Sequence, residues 1–159
     1  MNIAYLLLGS NMGNSLQQLT KAKKGITKNV GCITRSSNIY ITAAWGNTQQ
    51  PDFLNQVIIV HTLLTATQTL QCILGIEIAM GRIRTVQNAP RIIDIDILFF
   101  NKEIINTPTL KVPHPEITNR KFVLIPLNEL SPNFKHPILQ QNIHQLLSIC
   151  TDSLNVKKK

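Results

Sequence analysis

Apolar and polar positions alternate, cluster and recur along this chain in a way that divides it into short elements. Asn2 to Leu8 is an apolar run closed by Gly9-Ser10-Asn11-Met12-Gly13-Asn14, the pattern of a buried strand entering a glycine-containing turn. Leu16, Leu19, Ala22 and Ile26 then recur at helical intervals up to Lys28, with Ser15 and Gln18 at capping-box spacing. Cys32 to Thr42 favours a strand, Ala43 to Pro51 an irregular loop around Trp45, and Phe53 to Thr62 a second long strand. Thr65 and Gln68 repeat the cap spacing ahead of a helical stripe of Leu70, Ile73, Leu74 and Ile78 that stops at Gly81. A β-branched strand occupies Ala89 to Phe100, and Asn101-Lys102 is expected to turn it into a hairpin with Glu103 to Ile105. Beyond it the chain is punctuated by proline, with helices expected at Asn119 to Leu130 and Asn142 to Cys150.

The order β-α-β-β-α-β predicts an α+β fold: a ferredoxin-like βαββαβ sandwich, an antiparallel sheet with helices packed on it, and a C-terminal helical extension. Helices are expected over one face of the sheet, leaving the other free to carry a site. Residues 1–159 read as a single domain, with 151–159 as a flexible basic tail.

One strand carries groups that its hydrophobicity does not call for. Successive side chains of a strand alternate between faces, so Asp94 and Asp96 point one way while Ile93, Ile95 and Ile97 point the other. Two carboxylates on one pleat repel unless a cation, an arginine or a shared proton offsets them. Oxygen ligands of this kind suit Mg²⁺, which is held by one or two carboxylates together with substrate phosphates. The competing reading is a solvated strand face of ordinary alternating polarity.

Charge narrows the partners. The net charge of +8 asks for something anionic, and four of the five arginines, Arg82, Arg84, Arg91 and Arg120, cluster around the acidic strand, where planar guanidinium forks suit phosphate. The lysines Lys21, Lys23, Lys24 and Lys28 fall on one predicted helix and read as solvated surface. Cys32, Cys72 and Cys150 are odd in number and lack C-x-x-C spacing, which argues against disulfide and zinc frameworks. No signal peptide or membrane-length apolar stretch is visible, so a cytoplasmic location is expected, with no membrane partner. The first turn lacks G-x-x-x-x-G-K-[ST], so a P-loop is not supported. A nucleic-acid-binding sheet is a rival reading, opposed by the two aspartates it would present to a polyanion. A ligand-sensing module that binds ATP without turning it over is another.

Taken together, Gly9-Ser10-Asn11, Pro51-Asp52-Phe53-Leu54-Asn55, Gly81-Arg82-x-Arg84, Pro90-Arg91-x-x-Asp94-x-Asp96-Ile97-Leu98 and Val112-Pro113-His114-Pro115 resemble the 6-hydroxymethyl-7,8-dihydropterin pyrophosphokinase family of folate biosynthesis. The resemblance runs from the first strand to about Leu130. It implies Mg-dependent transfer of pyrophosphate from ATP to the pterin hydroxymethyl group, with AMP released, by a monomer whose partners are ATP and a reduced pterin. By motif position it implies that Asp94 and Asp96 hold two Mg²⁺ ions and that Arg82 and Arg91 act on the transferring phosphates, these four being the catalytic set. It further implies a pterin site of Thr42, Ala43, Trp45, Phe53, Asn55 and Phe122, and an ATP site of Glu77, Arg82, Arg84, Arg91, Ile97, His114 and Arg120. The chain departs from the family pattern at Asn88-Ala89, where Trp-Gly is usual, and carries Gln87 and Thr109 where other members have further contacts.

Overall fold

A computed structural model describes residues 1–44, 49–83 and 90–159. Its elements are β1 (Asn2–Ser10), α1 (Ser15–Asn29), β2 (Gly31–Ser36), β3 (Tyr40–Thr42), β4 (Phe53–Thr62), α2 (Ala66–Ala79), β5 (Asp94–Phe100), β6 (Ile105–Asn106), β7 (Lys111–Val112), α3 (Lys121–Leu130), α4 (Ile143–Ile149) and β8 (Val156–Lys158), with a 3-10 turn at Ile117–Asn119. The main sheet runs β5-β1-β4-β3-β8, and β2 shares the β4 edge with β3; every pairing is antiparallel. The chain thus has the expected ferredoxin-like α+β arrangement, its second strand broken in two. Residues 37–39 interrupt the expected Cys32 to Thr42 strand. Within that break the buried Ser37 takes the Val57 N–H on its Oγ at 3.0 Å, and its own N–H donates to the Val57 carbonyl at 2.9 Å.

Local sequence accounts for most boundaries. The Thr65 hydroxyl accepts the Gln68 N–H while Gln68 returns to the Thr65 N–H, a capping box that starts α2, and Asn142 with Gln145 starts α4 in the same way. At α1 the cap lies one residue earlier than expected: Asn14, not Ser15, accepts the Gln17 N–H at 3.1 Å. Gly81 takes φ +90° directly after α2, a conformation that a side chain would strain.

The inner face of α2 is Ala66, Thr69, Ile73, Ile76 and Glu77, rotated from the expected stripe, and Ile78 is left 72% exposed. The expected hairpin after β5 is absent. Asn101 adopts φ 51° and bonds back to Ile3 with both its N–H and its side-chain oxygen, each at 2.8 Å, so the turn is held against β1. Ile105–Asn106 pairs instead with Lys111–Val112 in a separate two-stranded sheet. Residues 151–159, expected as a flexible tail, include β8, which fills the open edge of β3, with Val156 opposite Thr42. That pairing satisfies edge backbone groups that would otherwise face water.

The sheet face expected to be free is covered. One core lies between the sheet and α1 with α2, built on Leu6, Leu8, Ile58, Val60, Ile95 and Phe100. A second lies on the opposite face, where Val123, Leu124 and Leu127 of α3 and Ile143 and Leu146 of α4 cover Tyr5, Leu7, Val57 and Ile59. A register shift between Tyr5 and Leu6 puts Leu98 and Phe99 both into this second core and returns Phe100 to the first. Both faces are therefore buried. What stays open is the end of the second face, where Gly9, Asn55 and Asp94 lie side by side across β1, β4 and β5.

Candidate active site

Strand alternation brings the side chains of Phe53 and Asn55 from β4, Asp94 and Asp96 from β5, and Tyr40 and Thr42 from β3 to one face at that open end. Gly9 of β1 lies between β4 and β5, opposite both Asn55 and Asp94. A Cβ there would meet Asn55 Oδ1 at 3.0 Å and Phe53 Cδ1 at 3.8 Å, so glycine keeps the floor low. The result is a cleft of about 580 Å³, counting the space open to solvent. Thr42, Ala43, Phe53 and Asn55 form one wall and Arg91, Asp94 and Asp96 the other, while Arg120 and Phe122 close it from the start of α3.

Charge in the acidic wall is arranged as a chain. Glu77, buried on α2, accepts the Ile95 N–H at 2.8 Å and an Arg82 Nη1–H at 2.7 Å on the same oxygen. Arg82 Nη1 also donates to Asp94 Oδ1 at 2.7 Å, and Arg91 Nη1 donates to Asp94 Oδ2 at 2.9 Å. Burial works against the Arg82 charge, but Asp94 and Glu77 together hold its guanidinium above the ordinary value. Asp96 is in the opposite situation. Burial, with the Asp94 and Glu77 carboxylates, pushes its carboxyl up to about 8 against the weaker pull of Arg120 and Arg82.

The other wall is aromatic and polar. Asn55 is buried and donates from Nδ2 to Thr42 Oγ1 at 2.7 Å, which fixes its amide in the cleft. The Arg91 guanidinium lies 5.7 Å from the Phe53 ring centre, and the Arg120 guanidinium lies 5.7 Å from that of Phe122. Each ring facing the cleft thus carries a cation near its face. This pairing suits a flat ligand between aromatic surfaces with an anionic group toward the arginines.

The expected residues are brought together unequally. Thr42, Ala43, Phe53, Asn55, Phe122, Arg91, Asp94, Asp96 and Arg120 line the cleft, and Glu77 and Arg82 stand behind it through Asp94. His114 lines a neighbouring groove beside β7 instead; its Nδ1 accepts the Glu116 N–H at 3.1 Å and its own N–H donates to Leu98 O at 3.0 Å. Burial and then the Arg120 charge lower its pKa, against Asp94 and Glu116. Ile97 is packed in the core under α1 and α2, on the face away from Asp96, because it is one residue out of phase with the aspartates. Trp45, Arg84, Gln87, Asn88 and Ala89 lie outside the described residues, and Thr109 is exposed between β6 and β7.

Two contributors were not expected. Leu7, opposite Asp96, lines the cleft as well as the second core. Asn11 is 4% exposed and bonds to Gln50, Pro51 and Arg91. Its sequence signal is its place in Gly9-Ser10-Asn11, one of the stretches that carry the family resemblance, for which no role was expected.

Residues 5–132 match the family described as 7,8-dihydro-6-hydroxymethylpterin-pyrophosphokinase. The 2-amino-4-hydroxy-6-hydroxymethyldihydropteridine pyrophosphokinase of Aquifex aeolicus is 38% identical over 145 residues, covering 91% of this chain and 90% of that protein. The protein of the same name from Bacillus subtilis is 41% identical over 130 residues, covering 81% and 78%. Folic acid synthesis protein FOL1 of Dictyostelium discoideum is 40% identical over 139 residues, 87% of this chain; the chain spans only 21% of that protein's length. Among solved structures, a Plasmodium falciparum HPPK-DHPS triple mutant with STZ-DHP superposes with a TM-score of 0.77 at 21% identity. The superposition covers 92% of this chain and 43% of that one, and at this identity it supports the fold.

Proposed function

The chain belongs to the 7,8-dihydro-6-hydroxymethylpterin-pyrophosphokinase family, and from that premise we propose how its cleft works. The reaction is Mg-dependent transfer of pyrophosphate from ATP to 6-hydroxymethyl-7,8-dihydropterin in folate synthesis, giving the pterin pyrophosphate and AMP. The hydroxymethyl oxygen bonds to the β-phosphorus, the bond from that phosphorus to the α–β bridging oxygen breaks, AMP leaves with the bridging oxygen, and the hydroxyl proton is released. Such a transfer needs alignment and charge neutralisation more than covalent chemistry.

The observation that carries the assignment of roles is the pairing of Asp94 and Asp96 with Arg82 and Arg91 at one end of an aromatic cleft. Asp96 and Asp94 fit two Mg²⁺ ions: a carboxyl pushed up to about 8 by burial and like charge is a site short of a cation. Among the described residues no three His, Cys, Asp or Glu side chains gather to hold a metal by themselves, which suits ions whose remaining ligands are phosphates and water. Bound Mg²⁺ supplies charge neutralisation on the triphosphate.

Phe53 and Phe122 hold the pterin ring, with Asn55, Thr42 and Ala43 at its polar edge. Thr42 Oγ1 fixes the Asn55 amide so that its oxygen is presented as an acceptor. Arg82 and Arg91 occupy Asp94 without nucleotide and turn to phosphate oxygens when the aspartates are engaged. Glu77 holds Arg82 and the Ile95 amide in place, and Arg120 and His114 serve the nucleotide side. This reading takes the protein as a monomer acting in the cytoplasm.

Purified protein given ATP, Mg²⁺ and the hydroxymethylpterin is expected to release AMP in step with pterin pyrophosphate. Binding of both without AMP would favour the sensing-module reading instead.

A further inference from the structure

We infer that Asn11 is a positioning residue that fixes the pterin wall and the phosphate-side arginine relative to each other; this rests on the reading of the cleft given above. Asn11 lies in the turn after β1 and contributes no atom to the cleft lining. It is buried, and both halves of its amide are used. Oδ1 accepts the Arg91 N–H at 2.9 Å, and the Asn11 N–H donates to the Arg91 carbonyl at 3.2 Å. Nδ2 donates to Gln50 Oε1 at 2.7 Å and to Pro51 O at 3.1 Å.

One side chain therefore joins three segments that are far apart in sequence: the β1–α1 turn, the residues leading into Phe53, and the residue whose guanidinium meets Asp94 and Phe53. The amide is suited to this because it offers one acceptor and two donors from a single short stem. Its acceptor half sets where the Arg91 backbone lies, and so where the guanidinium can reach. Its donor half holds the approach to β4, and so the ring of Phe53. The sheet spaces β4 and β5 through β1, and beyond its end Asn11 adds contacts to both walls, its N–H and Oδ1 to Arg91 and its Nδ2 to Gln50 and Pro51.

The two halves separate by substitution. Asn11→Asp keeps an acceptor for the Arg91 N–H but loses both donors and turns a carboxylate toward the Pro51 carbonyl. Asn11→Ala loses both halves. Asn11→Asp is expected to raise KM for the pterin about tenfold while kcat falls less than fivefold, and Asn11→Ala to lower kcat more than tenfold and raise both KM values. Because activity also depends on the assignment of function, amide hydrogen exchange is measured on the ligand-free protein. Protection of the Arg91 N–H is expected to fall at least tenfold in Asn11→Ala and to be largely kept in Asn11→Asp, with β1, β4 and β5 amides unchanged in both.

Unchanged Arg91 protection in Asn11→Ala, or a loss spread evenly over the sheet, overturns the inference whatever the activity. So does a kcat loss no larger than the unfolded fraction. A parent protein that makes no AMP while Arg91 protection responds as expected would remove the functional reading and leave the positioning contact standing.

Discussion

Asp94 and Asp96 are neighbours on one face of one strand, yet their surroundings differ. Asp94 spends its two oxygens on Arg82 and Arg91, whereas burial and then the Asp94 and Glu77 charges drive Asp96 up to about 8. Between the unfolded value near 3.8 and the folded value near 8, native Asp96 holds a proton that the unfolded chain has lost. Stability therefore falls as pH rises through that window and levels off above it. Asp96→Asn removes the penalty. Without Mg²⁺ the variant is expected to exceed its parent by about 1–3 kcal/mol at pH 8, a figure discounted for water in the cleft, and by much less at pH 5. Turnover is expected to fall at least a hundredfold. Thermal unfolding at the two pH values checks the first point, and a gain that is the same at both would show that Asp96 is not the strained group. The aspartate pair was visible in the sequence because period-two alternation needs only local information. Asn11 was visible as part of Gly9-Ser10-Asn11 but its role was not, because its partners lie 39, 40 and 80 residues away and nothing nearby marks them.

At the scale of elements, the same contrast between local and distant information recurs. The bounds of β4 and the caps of α2 and α4 follow from residues within a few positions, and they were legible in the sequence. The Leu98–Phe99 register shift, the pairing of β6 with β7, and the covering of the second face depend on which segments meet in space. Strand β3 shows how such a meeting acts on the cleft. It is only three residues long, carries Thr42, and is held from α3 by Glu129, which accepts the Tyr40 hydroxyl at 2.6 Å, the Asn38 N–H at 3.0 Å and Asn38 Nδ2 at 3.1 Å. Burial works against the charge of Glu129, yet these bonds hold its carboxyl below the usual range, and burial with the same carboxylate pushes the Tyr40 hydroxyl up to about 12. A depressed carboxylate contributes stability above its unfolded value that is lost as pH falls through the folded one. Glu129→Gln is expected to destabilise the protein by about 1 kcal/mol at neutral pH, a modest figure because the side chain is exposed to solvent. The deficit should shrink as pH falls through the lowered folded value of the parent carboxylate, where it becomes protonated too. Glu129→Gln should also raise KM for the pterin more than KM for ATP, since Thr42 ends β3 and Ala43 follows directly. An equal effect on both constants would remove the link between β3 and the pterin wall.

For the whole molecule, the cleft lies at the end of the sheet where β1, β4 and β5 come together and where α3 begins, so its ligands add to the contacts that join these parts. Ligands that bind only the folded protein stabilise it by mass action, about 2.7 kcal/mol at a hundred times Kd, or roughly 5–10 °C in Tm for a chain of this size. The two walls differ in what they need for this. The pterin wall of Phe53, Asn55 and Phe122 holds its ligand by stacking and hydrogen bonds, which require no metal. On the acidic wall, Asp94 and Asp96 face an incoming triphosphate, and carboxylate against phosphate is repulsive without a cation between them. A non-hydrolysable ATP analogue is therefore expected to raise Tm with Mg²⁺ and to lose most of that rise in EDTA, while the rise from pterin alone survives EDTA. Asp96→Asn should shrink the Mg-dependent part and leave the pterin part intact. A nucleotide shift that ignores EDTA would mean that the arginines alone hold the phosphates, and the two aspartates would then have to be explained by something other than metal.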